Sequence, residues 1–214
     1  ARKMNSHFDN LKVVDPGHKR GKGLSVRLGF DNAVGDVQIF MDADLATPIR
    51  HIKQTVQSLR KDSDIVIGVR TLSKIHPGKL RTLFSLGSNL ITRLLLFPKI
   101  KDTQCGYKGF TKEAAQTIFS RQRLIGWGFD IELLQLAKEG KFSVTQQSIP
   151  DWQEEREEGL RGDGLINAGL KTFRDLTLVR IEAWARFANR HYKVLLGLSM
   201  LFAFGLALWF GLAQ

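Results

Sequence analysis

Two aspartates stand two positions apart, directly after an apolar run. The run Val37–Met41 predicts a buried strand, and Asp42 and Asp44 follow it. Because side chains alternate along a strand, we expect both carboxylates to leave the strand end on the same side. Pro48 then opens a helical pattern. An acidic pair at the carboxyl end of an α/β strand can hold a divalent cation that neutralises a diphosphate; the alternative is a solvated turn.

A glycine-rich basic loop, residues 17–23, precedes a predicted helix. It is not a Walker A motif, because three residues rather than four precede the Gly-Lys pair and Gly23 stands in place of Ser or Thr. Glycine lets backbone N–H groups approach an anion, and Lys22 adds charge at a helix N-terminus. Gly21, Lys22 and Gly23 are therefore candidate contacts to an anionic donor; a plain basic loop is the alternative.

A polar segment, residues 102–110, lies between apolar helical patterns. Side chains suited to hydrogen-bonding sugar hydroxyls are Thr103, Gln104 and Tyr107. Asp102 is a candidate acceptor-side base or sugar ligand, and Gly106 indicates a backbone that approaches another group closely. Cys105 has no histidine near it in sequence, which favours a small buried thiol over a nucleophile.

A second candidate segment, residues 126–134, places two carboxylates in the first turn of a helix. The helix dipole favours Asp130 and Glu132 there, so helix capping is the alternative to ligand binding for one of them. Trp127 either stacks on a sugar face or fills the core.

Alternating strand and helix patterns surround these segments. Strands are expected at residues 13–14, 37–41, 64–68 and 144–150, and helices at 24–33, 49–60, 79–96, 112–119 and 129–139, the last closed by Gly140. This alternation predicts an α/β fold with a mostly parallel sheet. Because the first strand already belongs in the middle of a sheet, we expect the N-terminal strand of the fold to be missing.

Composition indicates an anionic partner. The 214 residues carry a net charge of +11, which is typical of proteins that bind nucleic acid, phosphorylated ligands or acidic membranes. No nucleic-acid-binding motif is present, so we expect no nucleic-acid partner. A single cysteine excludes an internal disulfide framework, and the polar opening of the sequence predicts no signal peptide.

The C-terminal part predicts membrane attachment. Residues 194–213 form a run of 20 residues without charge, long enough to cross a bilayer; a buried core helix is the alternative. The preceding stretch, 165–193, is a basic amphipathic helix suited to the membrane interface, with packing on the domain as the alternative. Its arginines place that side of a single-pass protein in the cytoplasm.

Taken together, the motifs GKG, FMDADLATP, DTQCGYKGF and GWGFDIELL resemble the family 2 glycosyltransferases over roughly residues 8–155. The branch that loads sugars onto polyprenyl phosphates, the dolichyl-phosphate glucosyltransferase type, is the most similar. The resemblance implies a GT-A, Rossmann-like fold over residues 1–155. The C-terminal patterns add an acceptor loop and interfacial helices at 156–193 and a transmembrane helix at 194–213. The family's usual Pro-x-Tyr-Asn-Glu-like base-binding segment is not found.

The resemblance also implies ligands and site residues. The donor would be a nucleotide sugar, UDP-glucose above all, and Mg²⁺ or Mn²⁺ would bind Asp42 and Asp44. Candidate catalytic residues are Asp44, Asp102 and Arg81; candidate donor contacts are Asp42, Lys22, Gly21, Gly23, Gln104, Trp127 and Asp130; candidate acceptor-phosphate contacts are Arg70, Lys79 and Arg161. The acceptor would be a polyprenyl phosphate at the membrane, and a homo-oligomer is possible.

Three alternatives stay open. A mannose synthase using GDP-mannose is disfavoured because Ala46 stands where that group carries a metal-binding Gln. A membrane-anchored binding protein without catalysis is compatible with the missing strand. A nucleic-acid-binding domain is the weakest alternative.

Overall fold

The computed structural model describes residues 10–18, 21–70, 97–153, 174–175 and 177–192. The chain divides into two compact units, Ala1–Leu176 and Thr177–Gln214. In the first unit the described elements are α1 (Lys22–Asn32), β1 (Val37–Met41), α2 (His51–Lys61), β2 (Ile65–Arg70), β3 (Tyr107–Thr111), α3 (Lys112–Phe119), α4 (Phe129–Gly140) and β4 (Val144–Ile149). The helix and strand patterns predicted at these places are confirmed, apart from β3.

The sheet is mixed, which corrects the expectation of a mostly parallel sheet. Its four described strands run in the order β1-β3-β2-β4. β3 lies antiparallel to both β1 and β2, whereas β2 and β4 are parallel. The sequence concealed β3 because its segment is polar and glycine-containing, yet residues 107–110 are all buried between two neighbouring strands.

Two further expectations were wrong in detail. Residues 11–16 have no regular secondary structure, and Lys12 instead donates a hydrogen bond to the side chain of Asn32, 2.6 Å away. Helix α4 ends at Gly140, and the residue that adopts the left-handed conformation at this end is Lys141, with a φ of 58°, rather than Gly140. Gly140 serves packing, since a Cβ there would lie 2.6 Å from the ring of Phe142.

Aromatic rings fill the core between α1, the sheet and α3. Phe30 of α1 stacks on Phe119 with ring centroids 3.8 Å apart, and both rings meet Phe110 of β3 edge-on. This geometry suits the quadrupoles of aromatic rings. It seats α1 on the sheet and thereby brings its N-terminus, which carries Lys22, to the sheet edge where β1 ends.

The second unit is described over 177–192, which form one helix, named α5 here. Its exposed large apolar side chains are Leu178, Ile181, Trp184, Phe187 and Tyr192. Among the described residues no helix has the length and apolar character needed to cross a bilayer. The predicted span, 194–213, lies outside those residues, as do residues 156–173, 176 and 193 of the predicted acceptor loop and interfacial helices.

Candidate active site

The candidate residues converge on one edge of the sheet. β1, β2 and β4 end at this edge, and the antiparallel β3 begins there. Asp42 follows β1, Arg70 closes β2, Trp152 follows β4, and the segment 102–106 leads into β3. Ligands in open α/β sheets bind outside the carboxyl ends of the strands, so this edge is where a ligand is expected.

Asp42 is the best-supported member of the site. Its carboxylate accepts from Lys22 Nζ at 2.7 Å, and both side chains are partly open to solvent, 39% for Asp42 and 20% for Lys22. Its backbone N–H donates to the Gly106 carbonyl, 3.1 Å away. A Cβ at Gly106 would overlap the Asp42 carboxylate, so only glycine leaves room for it. The close approach predicted for Gly106 is therefore confirmed.

Asp44 differs in its surroundings. β1 ends at Met41, so strand alternation stops before residue 44, which lies in an exposed turn. There Asp44 Oδ1 accepts from the backbone N–H of Ala46 at 3.0 Å, an Asx-type bond, while Leu45 has a φ of 57°. Strand alternation therefore does not set the directions of the two carboxylates, and their position on the same side of the strand end stays a prediction.

Lys22 also contacts an exposed indole. Its Nζ lies 5.0 Å from the centre of the Trp127 ring, and Trp127 is 73% exposed. Trp127 therefore does not fill the core. Charge above an aromatic face is attractive at this distance, so Lys22, Asp42 and Trp127 form one open surface.

Gly21 and Gly23 allow α1 to pack against the loop of residues 121–128. A Cβ at Gly23 would meet the Leu124 carbonyl and the Cβ of Phe129, and one at Gly21 would meet the Ile125 carbonyl. Leu24 N–H donates to that Ile125 carbonyl at 3.2 Å. Both glycines thus serve helix packing, and their contact with an anion stays a prediction.

Arg70 and Asp102 form a closed ion pair. Arg70 Nε donates to Asp102 Oδ2 at 2.6 Å, and the second guanidinium nitrogen donates to Oδ1 at 2.9 Å. Burial acts to raise the pKa of Asp102, but the hydrogen bonds and charge of Arg70 outweigh it, so this pKa lies below its usual value. A carboxylate held this way is a weak base, which argues against Asp102 as a general base.

Other predicted contacts in this segment face inward. Tyr107 is wholly buried, and its hydroxyl lies 2.6 Å from that of Thr55, so its predicted contact with a sugar is wrong. Thr103 is wholly buried as well. Gln104 is partly exposed, and its N–H donates to Asp102 Oδ1 at 3.2 Å. Of these three side chains, only Gln104 is exposed enough to remain a candidate contact for a donor at this edge of the sheet.

Cys105 is a buried thiol, as expected. Its exposure is nil, and its sulfur lies against Gly68 of β2, where a Cβ would approach it to 2.9 Å. Burial raises the pKa of Cys105 to about 11. The thiol stays protonated at neutral pH and is not a nucleophile.

The carboxylates of α4 have structural partners. Glu132 accepts from the backbone N–H groups of Arg123 and Leu124, in the loop before α4, at 2.9 and 2.8 Å, and not from the first N–H groups of α4, so the capping interpretation is wrong. Asp130 is paired with Lys108 of β3, and the side chains are only 4% and 1% exposed. Burial raises the pKa of Asp130, and the Lys108 charge opposes that rise. Lys108 had no role in the sequence interpretation.

Among the described residues at this edge, three acid–base pairs differ in burial, and Asp151 after β4 is paired with Arg50 and His51 as well. Asp102 and Asp130 are buried in their pairs with Arg70 and Lys108, at 5% and 4% exposed, whereas Asp42 is 39% exposed in its pair with Lys22, which we call the open pair. An open pair can exchange its partners for a ligand's charges, because water already screens both groups. A separate cavity of about 420 Å³ lies between β1 and α2 and is lined mostly by apolar side chains.

The described residues contain no group of three or more His, Cys, Asp or Glu that forms a ready metal cage. Mg²⁺ is usually held by one or two carboxylates together with substrate phosphates, so Asp42 and Asp44 are sufficient protein ligands for such an ion. Because Gly106 has no side chain, it leaves space for the Asp42 carboxylate, which fits this use. Lys79, Arg81 and Arg161 lie outside the described residues.

The comparisons with known proteins agree with this geometry. Residues 1–119, more than half of the chain, match the model of glycosyl transferase family 2. The chain belongs to this family. It is 31% identical over 186 residues to a dolichyl-phosphate beta-glucosyltransferase of Trichomonas vaginalis, covering 83% of this chain and 57% of that protein. It is 29% identical over 186 residues to the human dolichyl-phosphate beta-glucosyltransferase, covering 81% of this chain and 56% of the human protein.

This family 2 chain thus spans little more than half the length of these relatives. Its fold resembles that of glucosyl-3-phosphoglycerate synthase from Mycobacterium tuberculosis, solved in complex with UDP. The TM-score is 0.57 at 16% identity, covering 82% of this chain and 59% of that structure. The likeness confirms the expected GT-A-like α/β fold, with a mixed sheet.

Proposed function

We propose that the protein is a membrane-bound, inverting glycosyltransferase that moves glucose from UDP-glucose to a polyprenyl or dolichyl phosphate at the cytoplasmic face. The observation that carries the proposal is the open Lys22–Asp42 pair beside Gly106 at the carboxyl edge of the sheet. The relatives named above are dolichyl-phosphate glucosyltransferases, which supports both the donor sugar and the acceptor.

Asp42 and Asp44 would hold Mg²⁺ or Mn²⁺, which when bound neutralises the leaving diphosphate. The mycobacterial synthase of similar fold was crystallised with Mn²⁺ and UDP-glucose, which supports this use of the site. Lys22 would turn from Asp42 to the diphosphate, since an exposed ion pair costs little to open. Trp127 and Gln104 would offer a stacking face and a polar contact to the donor.

The acceptor needs no strong base. A phosphate monoester has a second pKa of about 6 and is therefore largely a dianion at neutral pH. A phosphate oxygen forms the bond to the anomeric carbon while the bond from that carbon to the UDP oxygen breaks, which inverts the configuration. Asp102, held by Arg70, would support the site rather than accept a proton. Arg81, Lys79 and Arg161 are the proposed contacts of the acceptor phosphate, and Arg70 assists through its charge.

Membrane attachment would bring the two substrates together. A polyprenyl chain stays in the bilayer, so its phosphate lies at headgroup level. The exposed apolar side chains of α5, with Arg180, Arg186 and Arg190 on the same helix, suit an interfacial position. The uncharged run 194–213 would anchor the chain as a single span.

A donor panel tests the proposal. The full-length protein in detergent would receive a short polyprenyl phosphate, Mn²⁺ and one of UDP-glucose, UDP-galactose, UDP-N-acetylglucosamine or GDP-mannose. We expect transfer from UDP-glucose, a loss of at least 100-fold in Asp42→Ala and Asp44→Ala, and near-normal transfer in Asp31→Ala, which changes an exposed aspartate of α1. Preference for GDP-mannose would favour the mannose synthase, and binding of UDP without transfer would favour a binding protein.

A further inference from the structure

Lys108 is a charged residue in the middle of the buried sheet. It is 0% exposed, and its ammonium contacts two groups besides the Phe40 ring, whose centre lies 5.5 Å away. It pairs with Asp130 in the first turn of α4, and it donates a hydrogen bond to the Cys105 carbonyl at 2.7 Å. β3, α4 and the turn before β3 therefore meet at one nitrogen atom.

Stability alone does not explain this arrangement. Removing two charges from water costs several kcal/mol for each ion, and apolar residues of the same volume often stabilise a core equally well or better. A buried pair is therefore weak evidence for a stabilising role. The additional bond to Cys105 indicates a different one, because it fixes the position of a backbone carbonyl.

That carbonyl belongs to the residue before Gly106, and Gly106 meets Asp42 at two points. The Gly106 carbonyl accepts from the Asp42 N–H at 3.1 Å, and the glycine Cα lies against the Asp42 carboxylate with no room for a side chain. A displacement of this turn would therefore change both the backbone and the side chain of Asp42.

We infer that Lys108 is a positioning residue: through the Cys105 carbonyl it holds the Cys105–Gly106 turn, and the turn holds Asp42 at the open edge of the sheet. Asp130, in the first turn of α4, holds the same nitrogen atom of Lys108 from the other side. The identity of the ligand that Asp42 binds rests on the proposed function, whereas the link from Lys108 through the Cys105–Gly106 turn to Asp42 does not.

Hydrogen–deuterium exchange of the full chain tests the link. Lys108→Met/Asp130→Leu removes both charges and the bond to Cys105 while it fills the volume. We expect the Asp42 amide to exchange at least tenfold faster in this variant. Arg121→Met/Glu139→Leu removes an ion pair farther along α4 and should leave this amide unchanged. Wild-type protection in the first variant would overturn the inference.

Two further variants keep the test decisive if Lys108→Met/Asp130→Leu does not fold. Lys108→Met/Asp130→Asn also removes the donor but keeps the shape of residue 130, and it should show the same faster exchange. Lys108→Arg keeps a cation and donors, and it should restore slow exchange at Asp42. Faster exchange spread equally over all strands in every variant at position 108 would mean a purely structural role and would refute positioning.

A second readout separates the link from the proposed function. Titration with Mn²⁺ and UDP should show affinity reduced 10- to 100-fold in Lys108→Met/Asp130→Leu, because residues that orient metal ligands commonly contribute that much. If the wild type binds no Mn²⁺ and UDP, the proposed function fails while the exchange result still decides the role of Lys108.

Discussion

Alanine at position 106 is the sharpest test of the site. All three carboxylate atoms of Asp42 would lie within 2.8 Å of the new Cβ, whereas ordinary contact begins at 3.4 Å. The nearest of these atoms, Oδ2, would lie only 1.8 Å from the Cβ, so it must move by about 1.6 Å to reach ordinary contact. The φ of Gly106 is not positive, so the backbone conformation accepts alanine, and the nearest conflict is with the Asp42 side chain.

The expected cost to folding is small. Moving Asp42 breaks an exposed ion pair with Lys22, which contributes about 0–1 kcal/mol. An off-rotamer side chain adds about 0.5–1.5 kcal/mol. We expect Gly106→Ala to lower the free energy of unfolding by about 1–2 kcal/mol, measured by urea denaturation.

The expected cost to ligand binding is larger. Gly106→Ala displaces one of the two carboxylates assigned to the metal, so we expect affinity for Mn²⁺ and UDP to fall 10- to 100-fold in isothermal titration calorimetry. Gly29→Ala is the matched control, because a Cβ there meets nothing within 4 Å and alanine favours the helix by about 0.5–1 kcal/mol. A folded Gly106→Ala protein that binds like the wild type would refute the assignment of Asp42.

Further predictions concern the buried groups and the exposed indole. Arg70→Met leaves Asp102 buried without its charged partner and should lower the free energy of unfolding by about 3–5 kcal/mol in urea, with partial recovery in Arg70→Lys; an unchanged value would contradict the closed pair. Because the pKa of Asp102 is lowered on folding, its stabilising contribution is complete above the unfolded carboxyl pKa of about 3.9 and is lost as the pH falls below it; denaturation at stepwise lower pH should show this loss in the wild type and not in Asp102→Asn. Iodoacetamide at pH 8 should leave native Cys105 unlabelled and label it in urea, as mass spectrometry would show. Trp127→Ala should change stability by less than about 0.5 kcal/mol yet weaken UDP-glucose binding severalfold; binding equal to that of the wild type would exclude Trp127 from the donor site.

Local patterns determined most of the elements. The periodicity of residues 112–119 predicts α3, and the structure adds the reason for its start, since the Thr111 side chain accepts from the Ala114 N–H. The apolar run ending at Met41 and the acidic residues after it likewise placed Asp42 at a strand end. The inert thiol of Cys105 and the close approach at Gly106 followed from residue type and spacing.

Long-range pairing decided the rest. Nothing local indicates that β3 lies between β1 and β2 and runs opposite to both, because strand order depends on partners far apart in the chain. The same cause hid Lys108, whose neighbours Asp130 and Cys105 come together only when α4 and the turn before β3 pack on the sheet. The position of Lys108 between Tyr107 and Phe110 was the available sign in the sequence that a lysine is buried there.

The sequence by itself determined the chemical groups, the family that the motifs resemble and the strand end that Asp42 and Asp44 follow, because motifs and periodicity depend only on residues that are close together in the chain. Tertiary structure alone decided which charges are open and which are closed. Asp102 and Asp130 are bound to Arg70 and Lys108, whereas Asp42 shares an exposed pair with Lys22. Burial and pairing between distant segments produce that difference, which cannot be predicted from the residue types alone.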